Sequence, residues 1–303
     1  MTIPDFQTIM RPLLELHGDR HEHLNKDLVN ALALQFKLSE EERKVMLPSG
    51  RAKMFDNRVG WAKTYISNAG LIESPRRSVS VITPEGEKVL KEHAGAINLP
   101  FLSKFSGIKS FREKKQEAGE TSEQIPAAAE TSETPEEALD NAYLKMRRDI
   151  EQEILTKILL NPPEFLERVI VDLVVRMGYG GNLKDAGEAI GRTGDEGIDG
   201  IIKEDPLGLD IIYLQAKRYE GTVGRPDIQK FAGALQGQRA KKGIFITTST
   251  YSREAKEFAS KIETKIILID GPTLAKLMFD HGVGVAINAT YEVKRIDTDY
   301  FEE

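Results

Sequence analysis

Apolar positions recur at helical spacing through the first hundred residues. Phe6, Ile9, Met10, Leu13 and Leu14 share one face of a segment at 4–16, and Leu24, Leu28, Val29, Leu32 and Phe36 repeat the pattern at 24–36. Ser39 with Glu42 three positions on has the form of a capping box and starts a third helix. A fourth is expected over 54–69, closed by Gly70. The spacing then changes: "GLIESPRRSVSVITPEG" predicts strand, turn and strand with Ser74-Pro75 at the tip. Thr83 and Pro84 open a last helix.

The periodicity disappears over 101–140. "EKKQEAGETSEQIPAAAETSETPEEALD" carries almost no large apolar group and cannot bury enough surface to offset the entropy of ordering it. It is expected to be a flexible acidic linker between a domain at 1–100 and another at 141–303. From 141 onward helix and strand alternate. Helices are predicted at 143–160 and 164–177, strands at 198–203, 210–219, 243–249 and 265–270, and further helices at 226–240, at 252–261 and from Pro272. That succession describes an α/β domain with a central mixed sheet covered by helices.

Charge sharpens the division. The net charge is −6, yet residues 43–77 hold eight Lys/Arg against Asp56 and Glu73, while residues 116–140 hold eight acids and no base. Cysteine is absent, which excludes disulfides, thiolate zinc sites and cysteine nucleophiles. No leader of secretory type and no apolar run of membrane-spanning length is visible, so a cytoplasmic protein is expected.

Candidate chemistry concentrates in "GDEGIDG" at 194–200 and "YLQAKRY" at 213–219. Alternate side chains of a strand share a face, so Gln215 and Lys217 point the same way. Asp199 opens the preceding strand. A carboxylate and an amide oxygen are hard ligands suited to Mg²⁺, which needs few protein ligands. An ammonium beside them can stabilise charge on a phosphate or assist deprotonation of water. Asp195 is expected to hold the glycine-rich turn. Thr247, Thr248 and Ser249 are expected to end a strand rather than to bind phosphate. His17, His21 and His23 fall at a helix end and turn with no fourth ligand evident.

These residues resemble a known family. "GDEGIDG…LQAKRY" is similar to the Asp…Gln-x-Lys signature of Mrr-type (type IV) restriction endonucleases, a branch of the PD-(D/E)xK nucleases. The likeness continues through "MGYGG" at 177–181, "GIFITTS" at 243–249, "SREAKEFA" at 252–259 and "LIDGPTLAKLM" at 268–278. It implies a restriction-endonuclease-like fold in which Asp199 and Gln215 hold metal, Lys217 is catalytic and Glu167 is an accessory acid. It also implies a substrate of foreign or methylated double-stranded DNA. Four positions depart from the pattern: Gln215 replaces the Asp or Glu of the wider superfamily, Ile198 replaces proline, Glu196 replaces glycine, and Leu166 replaces phenylalanine before Glu167.

The N-terminal elements resemble a winged helix-turn-helix. On the helix at 54–69, Asn57, Trp61, Thr64 and Asn68 lie opposite the apolar stripe. Asn can pair with an adenine edge and Thr can meet a thymine methyl, so Asn57 and Thr64 are candidate base contacts, with Trp61 between them. Arg51, Lys53, Arg76 and Arg77 are candidate phosphate contacts. The resulting expectation is a Mg²⁺-dependent endonuclease, homo-oligomeric if it cuts both strands. The rival expectations are an inactive DNA-binding regulator and a junction or repair nuclease on the same fold.

Overall fold

The structure, a computed structural model, describes residues 3–105, 132–179, 198–204 and 210–294. The chain divides into two compact units, Met1–Leu144 with Lys294–Glu303, and Lys145–Val293. Among the described residues no helix is long and apolar enough to cross a membrane.

In the first unit the elements run α1 (Phe6–Leu16), β1 (His23–Leu24), α2 (Asn25–Gln35), α3 (Glu40–Lys44), α4 (Met54–Asn68), β2 (Ile72–Glu73), β3 (Val79–Ile82), α5 (Pro84–Glu92) and α6 (Leu99–Leu102). The Ser39–Glu42 capping box forms at α3, and the Thr83 hydroxyl accepts from Gly86 N to start α5. Gly70 has a φ of +76°, the left-handed conformation that ends α4. The hairpin of β2 and β3 gains a third strand, giving an antiparallel sheet in the order β1-β3-β2. With α4 leading into this sheet, the arrangement is that of a winged helix. Phe6, Met10, Leu14, Leu32, Phe55, Ile66 and Leu71 meet in one core.

His17 is fully buried in this unit. Its Nδ1 pairs with the Leu13 carbonyl at 2.7 Å and its Nε2 with Ser80 Oγ at 2.9 Å, while His21 and His23 turn to Asp19. It pins α1 to β3. Burial pushes its pKa below the ordinary 6.5. As pH falls through 6.5, the unfolded chain therefore takes up a proton before the folded one, and stability declines. The slope is at most ~1.4 kcal/mol per pH unit for one proton. Thermal melts of wild type and His17→Gln between pH 7.5 and 5 should show a shallower acid loss in the variant.

The acidic stretch is not structureless throughout. Its beginning enters α6, where Leu99 and Leu102 are buried, and its end enters a long helix, α7 (Pro135–Leu160). Thr134 and Glu137 cap that helix reciprocally: Thr134 N donates to Glu137 Oε2 at 2.9 Å and Glu137 N to Thr134 Oγ1 at 3.2 Å. The composition that disfavours a core thus supplies a good helix start. Residues 106–131 lie outside the described residues, as do residues 180–197, including Asp195 and Glu196.

The second unit continues α7 and adds α8 (Pro163–Arg176), β4 (Gly200–Lys203), β5 (Ile211–Lys217), α9 (Arg225–Gly237), β6 (Lys242–Thr247), α10 (Arg253–Lys261), β7 (Lys265–Ile269) and α11 (Gly271–Asp280). The sheet order is β4-β5-β6-β7, with β4 antiparallel to β5 and the other neighbours parallel. Strand alternation sends Ile212, Leu214 and Ile246 to a core shared with α7, α8 and α11. Tyr213 and Phe245 point to the opposite core, under α9 and α10. Both faces are covered, as a central sheet of an α/β domain requires. Gln215 and Lys217 follow Tyr213 at alternate positions and so belong to the α9 side, at the carboxyl end of β5.

Candidate active site

Three local features bring the sequence candidates together. Asp199 N donates to the Leu214 carbonyl at 2.8 Å, which lays the residue before β4 alongside β5. Asp199 Oδ2 then accepts from Gln215 Nε2 and from Ala216 N, both at 2.7 Å. On the α9 side, Lys217 Nζ donates to Asp227 Oδ1 at 2.6 Å and lies 4.7 Å from the centre of the Tyr219 ring.

The electrostatics of the two acids agree with this placement. Burial raises the Asp199 pKa, against the lowering effect of its hydrogen bonds from Ala216 and Gln215. Glu167, half-buried on α8, is also raised, first by burial, then by the charge of Asp199, then by that of Glu164. The charge of Asp199 thus disfavours the ionised form of Glu167. A nearby cation would favour the ionised form of both. One oxygen of Asp199 and the amide of Gln215 are adjacent hard donors that could hold a divalent ion, with Glu167 as a further carboxylate that could join them. Among the described residues no three His, Cys, Asp or Glu side chains cluster as a metal site, so the set depends on the Gln215 amide. As placed, Gln215 turns its NH₂ toward Asp199; a half-turn about its last torsion presents the oxygen instead.

Thr247 and Thr248 close the end of the sheet. Thr247 Oγ1 donates to the Lys217 carbonyl at 2.8 Å, and Tyr219 N donates to Thr248 Oγ1 at 3.0 Å. These bonds hold the end of β5 against β6.

Asp227 escapes a reading of the sequence. It lies ten residues beyond Lys217, in the first turn of α9, where its other oxygen accepts from Gly224 N at 3.3 Å. The "GRPD" stretch signals only a helix start; the contact with Lys217 is tertiary. If Asp227 orients the ammonium, Asp227→Asn should lower the turnover by about 10- to 100-fold, the cost of a small misplacement. DNA binding measured in parallel should be unchanged.

The candidates of the first unit are dispersed over α4 and the hairpin. Arg51, Lys53, Arg76 and Arg77 are exposed, and Arg76 pairs with Glu22 at 2.7 Å. Thr64 is exposed with its hydroxyl bonded back to the Gly60 carbonyl. Trp61 is drawn partly into the core and packs beside Tyr65 at 5.9 Å between ring centres, so much of its surface is spent on packing. Asn57 is engaged by residues beyond the winged helix, Thr134 and Glu136.

Comparison with known proteins places these two units. The family described as "Mrr N-terminal domain" matches residues 6–92, and the family described as "Restriction endonuclease" matches residues 159–278. The "Type IV methyl-directed restriction enzyme EcoKMrr" of Escherichia coli K12 is 34% identical over 309 residues, covering 100% of both chains. The chain belongs to the Mrr family of type IV restriction endonucleases. It is an Mrr-type endodeoxyribonuclease in its whole length, with the Asp199, Gln215 and Lys217 constellation inside the matched nuclease region. Two solved structures are more distant. The "DNA modification-dependent restriction endonuclease AspBHI" has a TM-score of 0.36 and 19% identity over 45% of this chain and 36% of that one. The "MspJI Restriction Endonuclease in Complex with 27-mer Oligonucleotide" has a TM-score of 0.28 and 19% identity over 48% and 32%. The match spans about a third of each of those enzymes and adds nothing to the assignment of this Mrr chain.

Proposed function

We propose that this protein is a Mg²⁺-dependent endonuclease that hydrolyses phosphodiester bonds in methylated double-stranded DNA. The observation that carries the chemistry is the meeting of Asp199 with Gln215, two residues before Lys217, at the carboxyl end of β5, with the charge of Asp199 felt at Glu167. Asp199, Glu167 and the Gln215 oxygen would hold the cation. When bound, a divalent ion supplies Lewis-acid stabilisation of charge on a phosphoryl oxygen. Lys217 places a compact ammonium where negative charge grows on the scissile phosphate, with Asp227 and Tyr219 setting its direction. Covered faces of the sheet keep the polar end of β5 as the place where DNA meets the site.

The substrate assignment is supported by the relative's printed description as methyl-directed. The winged helix binds the duplex through α4 and the basic hairpin, with Arg51, Lys53, Arg76 and Arg77 on phosphates. One nuclease centre cuts one strand, so cutting both strands requires a homo-oligomer. Charge reversal at Arg76 and Arg77 should weaken binding to all sequences and flatten the slope of log affinity against log salt by about 2. Salt-titrated binding to two unrelated duplexes measures both.

The reading is tested by incubating the purified protein with methylated plasmid, unmethylated plasmid and a four-way junction in Mg²⁺. Preferential cutting of the methylated plasmid is expected. Equal cutting of both plasmids would remove the methyl assignment, and preference for the junction would favour a repair role instead.

A further inference from the structure

We infer that residues 134–140 are an intramolecular ligand of the DNA-reading surface, occupying the start of α4 in competition with duplex DNA. The inference rests on the proposed reading that α4 contacts DNA.

The contacts use the groups that DNA would use. Thr134 Oγ1 donates to Asn57 Oδ1 at 2.8 Å, and Asn57 Nδ2 donates to a carboxylate oxygen of Glu136. Both ends of the amide are thereby taken, one by a donor and one by an acceptor, which is the pairing an adenine edge offers through its amino group and N7. Beside it, Arg58 Nε donates to Glu137 Oε1 at 2.7 Å in a largely buried pair. Ser49 N donates to Asp140 Oδ2 at 3.0 Å. A guanidinium and a backbone amide are ordinary phosphate partners, and here carboxylates stand in their place. Arg51 and Lys53 are exposed between Ser49 and Asn57.

Charge points the same way. Residues 133–140 hold Glu133, Glu136, Glu137 and Asp140 and no base, against the net +6 of residues 43–77. Glu137 is set into the surface and capped by Thr134, so the segment arrives as a formed helix start rather than as a diffuse acidic cloud. Duplex DNA reaching Asn57 must first displace Thr134 and Glu136. The apparent affinity is then the intrinsic one reduced by the fraction of molecules with the surface open.

The test measures equilibrium binding of the full-length protein to duplex DNA without divalent cation, so that cleavage does not enter. Glu136→Ala/Asp140→Ala removes two contacts from side chains that are not buried. Asp149→Ala/Glu153→Ala removes the same charge from exposed positions outside the segment and serves as the control. Circular dichroism and melting confirm folding of each. The contact variant should bind about tenfold tighter than the control, and the gain should vanish in an Asn57→Ala background. Equal affinity of contact variant and control overturns the inference. Arg51→Glu/Lys53→Glu separates the two layers: if it loses binding while the contact variant gains nothing, α4 reads DNA and only the competition is wrong. If it binds like wild type, α4 is not the DNA surface and the inference falls with that reading.

Discussion

Asp199→Ala is expected to slow DNA cleavage by about 10³-fold or more, the scale set by removing a preorganised electrostatic group from a catalytic site, and to leave DNA binding nearly unchanged. The two effects should separate because the proposed phosphate contacts lie on the winged helix and the hairpin, whereas Asp199 lies before β4. The alanine variant also strips the half-buried Ala216 N of its acceptor, at a cost below that of a fully buried group left unpaired, about 1–3 kcal/mol. Asp199→Asn keeps an oxygen for that amide while removing the charge. It should therefore melt closer to wild type than Asp199→Ala and cut as poorly. Single-turnover cleavage, binding and melting of the three proteins check this. Cleavage by Asp199→Asn at the wild-type rate would show that the carboxylate charge is not used.

The second large effect is expected at Gln215. Gln215→Leu keeps bulk and loses every polar atom, so cleavage should fall to background in a protein that still binds DNA. Gln215→Glu is the more informative change. Without a cation it replaces the 2.7 Å hydrogen bond to Asp199 with a carboxylate facing a carboxylate, near an acid whose charge already disfavours the ionised form of Glu167. The variant should melt below wild type in EDTA. Added Mg²⁺ should raise its melting temperature more than that of wild type, because a third negative ligand strengthens binding of a hard ion. Cleavage should survive, at a lower Mg²⁺ requirement. A glutamate variant whose melting is insensitive to Mg²⁺ would place the ion elsewhere, whatever its activity.

The nuclease half is legible in the sequence to the extent that its chemistry follows strand alternation. Gln215 and Lys217 are two apart on a strongly apolar strand, and Asp199 precedes the strand paired with it, so period-two geometry brings all three to one sheet end. The mixed sheet follows from the order of helix and strand. What escapes the eye depends on partners distant in the chain. Asp227 reads as an ordinary acid at a helix start, and nothing local brings it to Lys217. β1 is two residues long, too short for any periodic signal, and exists because β3 offers it a free edge. Trp61 occupies the solvent side of a helical wheel, yet its bulk folds back against Tyr65. Asn57 is chemically suited to a base, as the sequence suggests, and the same suitability lets Thr134 and Glu136 hold it. The acidic composition of 101–140 conceals a Thr-Pro-Glu-Glu start whose carboxylates have specific partners.

The central claim is that a divalent cation held by Asp199, Glu167 and Gln215 is required for hydrolysis. Single-turnover cutting of a methylated duplex by the wild-type protein, in excess Mg²⁺, in excess EDTA, and in EDTA followed by surplus Mg²⁺, tests it most directly. Cutting in the first condition, none in the second and full recovery in the third is the predicted result. Equal cutting in EDTA would contradict it.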